Sequence, residues 1–298
     1  MYPVKGIRAM DLSTLEGHRR DATTASGAVS YLDVGRARPA VFIHGLLTNS
    51  LLWRHVLDRV AGDRRRCIAI DLPGHGQTPA APGDADVSLT GLARRVIELC
   101  DYLSLDRFDL VANDTGGAVA QIVAAHLGGR LSTLTLTNCD TEGNTPPFLF
   151  KPVAFAARLR LLTRLGPRIA ANRWLRLSGL AAGYPHPGQL PAEVVEAYYR
   201  PVFGTPDTSR AFARLAAAIS SADLTAIRTR LAELTVPTLI AWGTGDVFFP
   251  LKWGQRLADL IPGTTRLVTF DGARMHFPDY RAAEFVPPLL THWAQHPG

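Results

Sequence analysis

An aspartate at the point where a strand runs straight into a helix can do chemistry that few other positions allow. In Leu110-Val111-Ala112-Asn113-Asp114-Thr115-Gly116-Gly117 the apolar run stops at Asp114 and a helical pattern follows at once. A turn that tight would make larger side chains collide two places either side of its apex, and Ala112 and Gly116 occupy those places. The helix behind it points amide dipoles at the apex and favours negative charge there. An ordinary helix N-cap would also use Asp, and two further strand ends separate the readings. Leu239-Ile240-Ala241-Trp242 leads through Gly243-Thr244-Gly245 to Asp246, and the strand Arg266–Phe270 leads through Asp271 and Gly272 to His276. Nucleophile, acid and histidine thus each follow a predicted strand, which brings all three to one edge of a parallel sheet.

A carboxylate nucleophile sets the reaction. Its reference pKa is about 3.9, so it is ionised at neutral pH and needs no base before it attacks. Its natural targets are saturated carbons bearing a leaving group, such as an alkyl halide or a strained epoxide. Displacement leaves an alkyl ester on Asp114, which water activated by His276, oriented by Asp246, then hydrolyses. Upstream, Phe42-Ile43-His44-Gly45-Leu46 fits a loop whose Leu46 N–H, with that of Thr115, stabilises the oxyanion of that second step. His44 reads as the prop of this loop, with substrate contact as its other reading. His75 reads as a turn residue. Asp140, beyond Leu131–Asn138, is an alternative or auxiliary acid.

The elements that position these residues follow from the spacing of apolar positions. Strands are expected near His18–Ala22, at Ala28–Val34 (both antiparallel), Ala40–His44, Cys67–Leu72, Phe108–Ala112, Leu131–Asn138, Val236–Trp242 and Arg266–Phe270. Helices are expected at Ser88–Leu103, Gly116–Leu127, Leu251–Leu260 and Arg281–Trp293. Alternation of short apolar runs with helical patterns predicts an α/β fold, a mostly parallel sheet flanked by helices. From Thr141 to Leu234 the pattern changes to Ala-, Leu- and Arg-rich helical stretches broken by Pro and Gly. Residues 1–140 and 235–298 therefore read as a core domain, with 141–234 as an inserted helical cap.

Composition excludes more than it assigns. With 298 residues, 47% hydrophobic and 19% charged, the chain is an ordinary globular one. No stretch approaches the roughly 18 apolar residues of a membrane span. Met1 to His18 lacks the apolar centre and cleavage site of a signal peptide, so a cytoplasmic protein is expected. The net charge of +6 comes mostly from spread-out arginines, with short clusters at Arg64-Arg65-Arg66 and Arg158 to Arg176. Without a groove-reading motif no nucleic-acid partner is expected, and without an apolar span no membrane partner. Cys67, Cys100 and Cys139 lie far apart and read as buried free thiols. No cofactor or metal is called for. The expected partner is a small apolar organic substrate, and a homodimer stays open.

Together His44-Gly45, Asp71-Leu72-Pro73-Gly74-His75-Gly76, the Asp114 turn, Trp242-Gly243 with Asp246, and His276-Phe277-Pro278 resemble the α/β-hydrolase superfamily. Within it they resemble the haloalkane dehalogenase and epoxide hydrolase branch, whose nucleophile is an aspartate. The resemblance implies the α/β-hydrolase fold and the triad Asp114, Asp246 and His276. Residue details depart from each relative. Haloalkane dehalogenases usually carry Trp after the nucleophile and Asn after the His-Gly pair, where this chain has Thr115 and Leu46. Fluoroacetate dehalogenases place Arg at the Thr115 position. Epoxide hydrolases have a proline where Leu47 stands, and use two cap tyrosines, for which Tyr184, Tyr198 and Tyr199 are candidates. Trp53, Phe248, Trp174, Phe148 and Phe249 suit an apolar pocket wall or plain packing. The reading is a hydrolase opening an epoxide or cleaving a carbon–halogen bond. The rivals are an esterase, lactonase or C–C hydrolase of the same fold in which Asp114 forms no ester, and a non-catalytic binding protein.

Overall fold

Strands in the middle of a parallel sheet are covered on both faces, so every residue along them is apolar or satisfied by a neighbour. The structure, a computed structural model describing residues 11–297, contains an eight-stranded sheet. Its strands are β1 (Arg19–Thr24), β2 (Gly27–Gly35), β3 (Arg38–Ile43), β4 (Arg65–Ile70), β5 (Phe108–Asp114), β6 (Leu131–Cys139), β7 (Thr238–Gly243) and β8 (Thr264–Phe270). All residues of β5, β6 and β7 are buried, whereas β1 and β8 are largely exposed along their length. That contrast matches the sheet order β1-β2-β4-β3-β5-β6-β7-β8, in which the exposed strands are the two edges. β2 pairs antiparallel with β1 and β4, and every other pair is parallel. This is the mostly parallel α/β sheet expected from the alternation of apolar runs and helical patterns, in the arrangement that the resemblance to α/β-hydrolases implies. The reading of Met1–His18 falls mostly on residues outside those described.

The parallel order carries a functional consequence. β5, β6, β7 and β8 lie side by side and run in one direction, so the chain leaves each at the same edge. Asp114 ends β5, Asp140 follows β6, Asp246 follows β7 and His276 follows β8. The core beneath them is closed by large side chains such as Trp53, whose ring lies 5.3 Å from Phe42, and Phe277, stacked 4.5 Å from Phe270. Cys67, Cys100 and Cys139 are free and buried in it.

Between β6 and β7 the chain makes helices and turns only. The longer ones are Lys151–Arg158, Leu161–Ala171, Arg173–Leu180, Ala192–Phe203 and Pro206–Ala218. Leu161–Ala171 packs so closely on Pro206–Ala218 that a Cβ on Gly166 would stand 2.1 Å from Ser209 Oγ. Phe203 and Phe212 meet edge to face at 5.0 Å in the same helical layer. Polar contacts tie this segment to the sheet. Tyr184 Oη donates to Asp279 Oδ2 at 2.8 Å, Asn49 Nδ2 donates to Ala197 O at 2.9 Å, and His276 N donates to Gly183 O at 3.1 Å.

Candidate active site

The backbone at Asp114 has φ 54° and ψ −134°, a state non-glycine residues adopt at a cost of about 1–3 kcal/mol. The strain turns its carboxylate out of β5 at the start of the helix Thr115–Leu127. Close approach is needed on both sides. A Cβ on Gly116 would stand 2.3 Å from His44 O, and one on Gly45 would stand 2.0 Å from Asp114 Oδ2. Those glycines let the loop after β3 fold onto the carboxylate. Leu46 N donates to Asp114 Oδ2 at 2.9 Å, and the Thr115 amide also bonds the carboxylate. Both amides assigned to the oxyanion therefore converge on the Asp114 carboxyl group.

His44 holds this loop. Its Nε2 accepts from Leu72 N at 2.9 Å, which leaves Nδ1 as the protonated nitrogen, 2.6 Å from Gly45 O. Burial lowers its pKa to about 4, so the ring stays neutral. It bridges the ends of β3 and β4 and does not line the cavity described below, as a prop requires.

The two acids of the edge have different surroundings. Asp246 Oδ1 accepts from Phe248 N at 2.8 Å and Phe249 N at 3.1 Å, and its Oδ2 accepts from Asn138 Nδ2 at 2.9 Å. Burial against those donors sets its pKa at about 6. Asp140 Oδ2 accepts from Thr115 Oγ1 at 3.1 Å, and the Thr145 hydroxyl, which donates to Thr141 O at 2.8 Å, also stands near the carboxyl. Among the described residues its buried Oδ1 has no hydrogen bond within 3.5 Å. Burial pushes the Asp140 carboxyl up to about 7. Asp114 is raised well above the usual carboxylate range, first by burial and then by the negative charge of Asp140, against the pull of its two amides. Two buried carboxyls in one electrostatic unit hold a proton into the neutral range.

His276 does not pair with Asp246. Among the described residues its ring forms no ion pair with a carboxylate, and its Nδ1 lies 3.3 Å from Asn113 Oδ1. The Asn113 amide is oriented by Nδ2, which donates to Thr137 Oγ1 and Met275 O at 2.9 Å each. Its oxygen can therefore only accept, so Nδ1 carries the hydrogen and Nε2 keeps a free lone pair. Burial lowers the His276 pKa to about 3, which keeps the ring neutral. Asn113 thus occupies the orienting position expected of Asp246. Its sequence signal was its place directly before Asp114 on β5.

These groups meet at a cavity of about 70 Å³. A water needs about 10–15 Å³ by this measure, so the space suits a small organic molecule. Asp114, Thr115, Asp140 and His276 form its polar wall; Leu46, Leu47, Phe150, Leu180, Ile219 and Phe248 contribute to its apolar wall. Asp246 is not among the lining residues. Of the candidates for substrate contact, Phe248 lines the cavity with Phe249 beside it, whereas His44, Trp53, Tyr198 and Tyr199 do not. Trp53 is fully buried in the core, Tyr199 Oη donates to Arg176 O at 2.8 Å, and Tyr198 lies against Tyr184 and Arg54. Tyr184 is engaged by Asp279, itself ion-paired with Arg54 at 2.8 Å. The spacing Val194, Val195, Tyr198, Val202 marks a buried helix face, and packing accounts for these tyrosines. Trp174 and Phe148 are exposed instead of wall residues. His75 is buried with Nδ1 3.1 Å from Pro73 O, inside the turn. Among the described residues no three His, Cys, Asp or Glu side chains gather to hold a metal ion.

Comparison with known proteins places this geometry. The family model described as the alpha/beta hydrolase fold matches residues 39–279. Haloalkane dehalogenase 2 of Mycobacterium bovis is 30% identical over 280 residues, covering 88% of this chain and 92% of that protein. A Variovorax paradoxus protein named "Putative carbamate hydrolase RutD" is 29% identical over 84% of this chain and 90% of its own length. The crystal structure of an alpha/beta hydrolase fold protein from Burkholderia ambifaria superposes with a TM-score of 0.79 at 27% identity, covering 96% of this chain and 100% of that one. The chain belongs to the α/β-hydrolase superfamily, with haloalkane dehalogenases among its relatives, and is an enzyme of the hydrolase class.

Proposed function

We propose that this hydrolase opens small apolar epoxides through an ester on Asp114, with Asp140 as the acid that protonates the departing oxygen. One observation carries the choice. The cavity wall holds two buried carboxyls, Asp114 and Asp140, and burial together with their mutual charge keeps a proton on the pair into the neutral range. Ring opening generates an alkoxide that needs a proton, and Asp140 is placed to supply it. A halide instead needs N–H donors, and no Trp, Asn or Gln side chain is among the lining residues. No tyrosine lines the cavity either, so the acid must come from elsewhere on its wall.

Leu46 N fixes Oδ2 of Asp114, which leaves Oδ1 to attack the epoxide carbon. The carbon–oxygen bond breaks, and its electron pair takes the proton of Asp140. The product of this step is a hydroxyalkyl ester and an ionised Asp140. His276 Nε2 then removes a proton from water, and the hydroxide adds to Cγ of Asp114. The amides of Leu46 and Thr115 hold the oxyanion. Collapse expels the alkoxide, which takes the proton from His276, and the proton left on Asp114 returns to Asp140. One epoxide and one water give one diol. The helical segment between β6 and β7 acts as a cap, since Pro146, Phe150, Leu180 and Ile219 close the cavity over these groups.

A second reading keeps Asp114 as a general base for an ester, lactone or carbamate, since a carboxyl raised toward neutrality suits proton abstraction. A screen of apolar epoxides, haloalkanes and simple esters separates the readings. Diol formation from epoxides, abolished in Asp114→Asn, is expected. Free halide from haloalkanes, with epoxides untouched, would contradict the assignment of the substrate. Ester hydrolysis alone would favour the second reading.

A further inference from the structure

The segment that closes the cavity also carries an unusual outer surface. Between Glu142 and Glu193 the chain has no acidic residue. Lys151, Arg158, Arg160, Arg164, Arg168 and Arg173 are exposed, and among the described residues none of these six forms an ion pair. Large apolar side chains stand among them: Phe148 is 76% exposed, Phe155 63% and Trp174 74%. Soluble surfaces seldom gather exposed aromatics on one short segment without a function.

Helical spacing shows that charge and apolar surface are presented together. Leu161, Arg164, Leu165 and Arg168 recur at i, i+3, i+4 and i+7 along Leu161–Ala171, and all four are exposed. Lys151, Phe155 and Arg158 repeat the arrangement along Lys151–Arg158. The inward faces of the same helices hold Ala154, Ala157, Leu162 and Gly166. Each helix is thus packed on one side and both cationic and apolar on the other.

We infer that the outer face of residues 148–176 docks peripherally on an anionic lipid bilayer. Such a surface satisfies both features: phospholipid headgroups take the arginines, while Phe155, Trp174 and the leucines enter the boundary between headgroups and acyl chains. A second copy of this chain fits less well, because a symmetric contact would set unpaired cations against cations on a protein already at +6. A nucleic acid would neutralise the arginines and leave the aromatics in water. The expectation of no membrane partner rested on the absence of a span, and no helix is long and apolar enough to cross a membrane. Peripheral docking needs none. Apolar molecules dissolved in the bilayer would then be concentrated beside the cavity, although the docking itself stands without the proposed reaction.

Flotation of the 298-residue chain with vesicles tests this. The protein should float with phosphatidylcholine vesicles containing a third phosphatidylglycerol. It should bind at least 10-fold more weakly to pure phosphatidylcholine, or at 1 M salt, where screening shortens to about 3 Å. Replacing Arg164 and Arg168 together by Gln should lower partitioning by roughly 20–30-fold, about fivefold per charge. Phe155→Ser with Trp174→Ser should lower it with every charge intact. Thermal melting checks that each variant is folded. No flotation with anionic vesicles, or flotation unchanged in both double variants, overturns the inference. So does a stable dimer that the Phe155 and Trp174 substitutions dissociate, which would make this face a contact between copies. Binding to duplex DNA that exceeds vesicle binding and survives loss of both aromatics would assign it to nucleic acid.

Discussion

The acids after β6 and β7 stand one strand apart on the same edge of the sheet, and their surroundings differ in kind. Asp246 gives both oxygens to three donors and faces away from the cavity. Asp140 lines the cavity and, among the described residues, has only the Thr115 and Thr145 hydroxyls near its carboxyl, with no backbone amide on either oxygen. A satisfied carboxylate is a structural tie: it fixes the loop Asp246–Phe249 and, through Asn138, joins β6 to β7. A buried carboxyl with fewer donors is costly and is a candidate for chemistry. The proposed reaction rests on this difference, with Asp246 as the tie and Asp140 as the proton donor.

Substitutions can break that contrast. Asp114→Asn should have the largest effect, lowering kcat by about 10⁴-fold or more, because the nucleophile itself is lost. His276→Gln should lower turnover by about 10²–10⁴-fold. It should also leave an ester on Asp114 detectable as a mass increase equal to one substrate. Asp140→Asn should lower kcat/KM for epoxides by about 10²–10³-fold. Asp246→Asn should change it by less than about 10-fold while costing about 1–3 kcal/mol of stability, since an amide NH₂ would face a donor. Equal losses in activity for both acids would erase the distinction.

The pH dependence sharpens it further. Asp114 must be ionised and Asp140 protonated, so kcat/KM should be bell-shaped. It should rise as the pair loses its first proton and fall as Asp140 ionises through about 7, and the falling limb should vanish in Asp140→Asn. For stability, a carboxyl raised in the folded state binds a proton more tightly there than in the unfolded chain. Its contribution is fully present below about pH 4 and lost as pH rises through about 7. Asp140→Asn should therefore be more stable than the parent above pH 7, by on the order of 1–3 kcal/mol in denaturant melts.

Much of this was legible in the sequence. Fully buried strands read as apolar runs, and the strand-to-helix turn at Asp114 announced itself through Ala112 and Gly116. The lack of apolar runs from Thr141 to Leu234 marked the helical segment, because a strand there would have needed them. Chain order placed Asp114, Asp140, Asp246 and His276 on one edge. Where each side chain turned was not legible. The Asp246 carboxylate folds back onto its own loop amides, a local choice that spacing does not record. Asn113, one residue from the nucleophile, takes the hydrogen of His276 instead. Tyr198 and Tyr199 carry the residue type of an epoxide-activating pair, yet their helix face is turned into the protein.

A single turnover in heavy-oxygen water tests the central claim most directly. With enzyme in excess over an epoxide, the ester mechanism puts solvent oxygen into the Asp114 carboxylate and leaves the first-turnover diol unlabelled. The peptide containing Asp114 should gain the mass of one heavy oxygen. A labelled diol with an unlabelled Asp114 peptide would contradict the ester and make Asp114 a base.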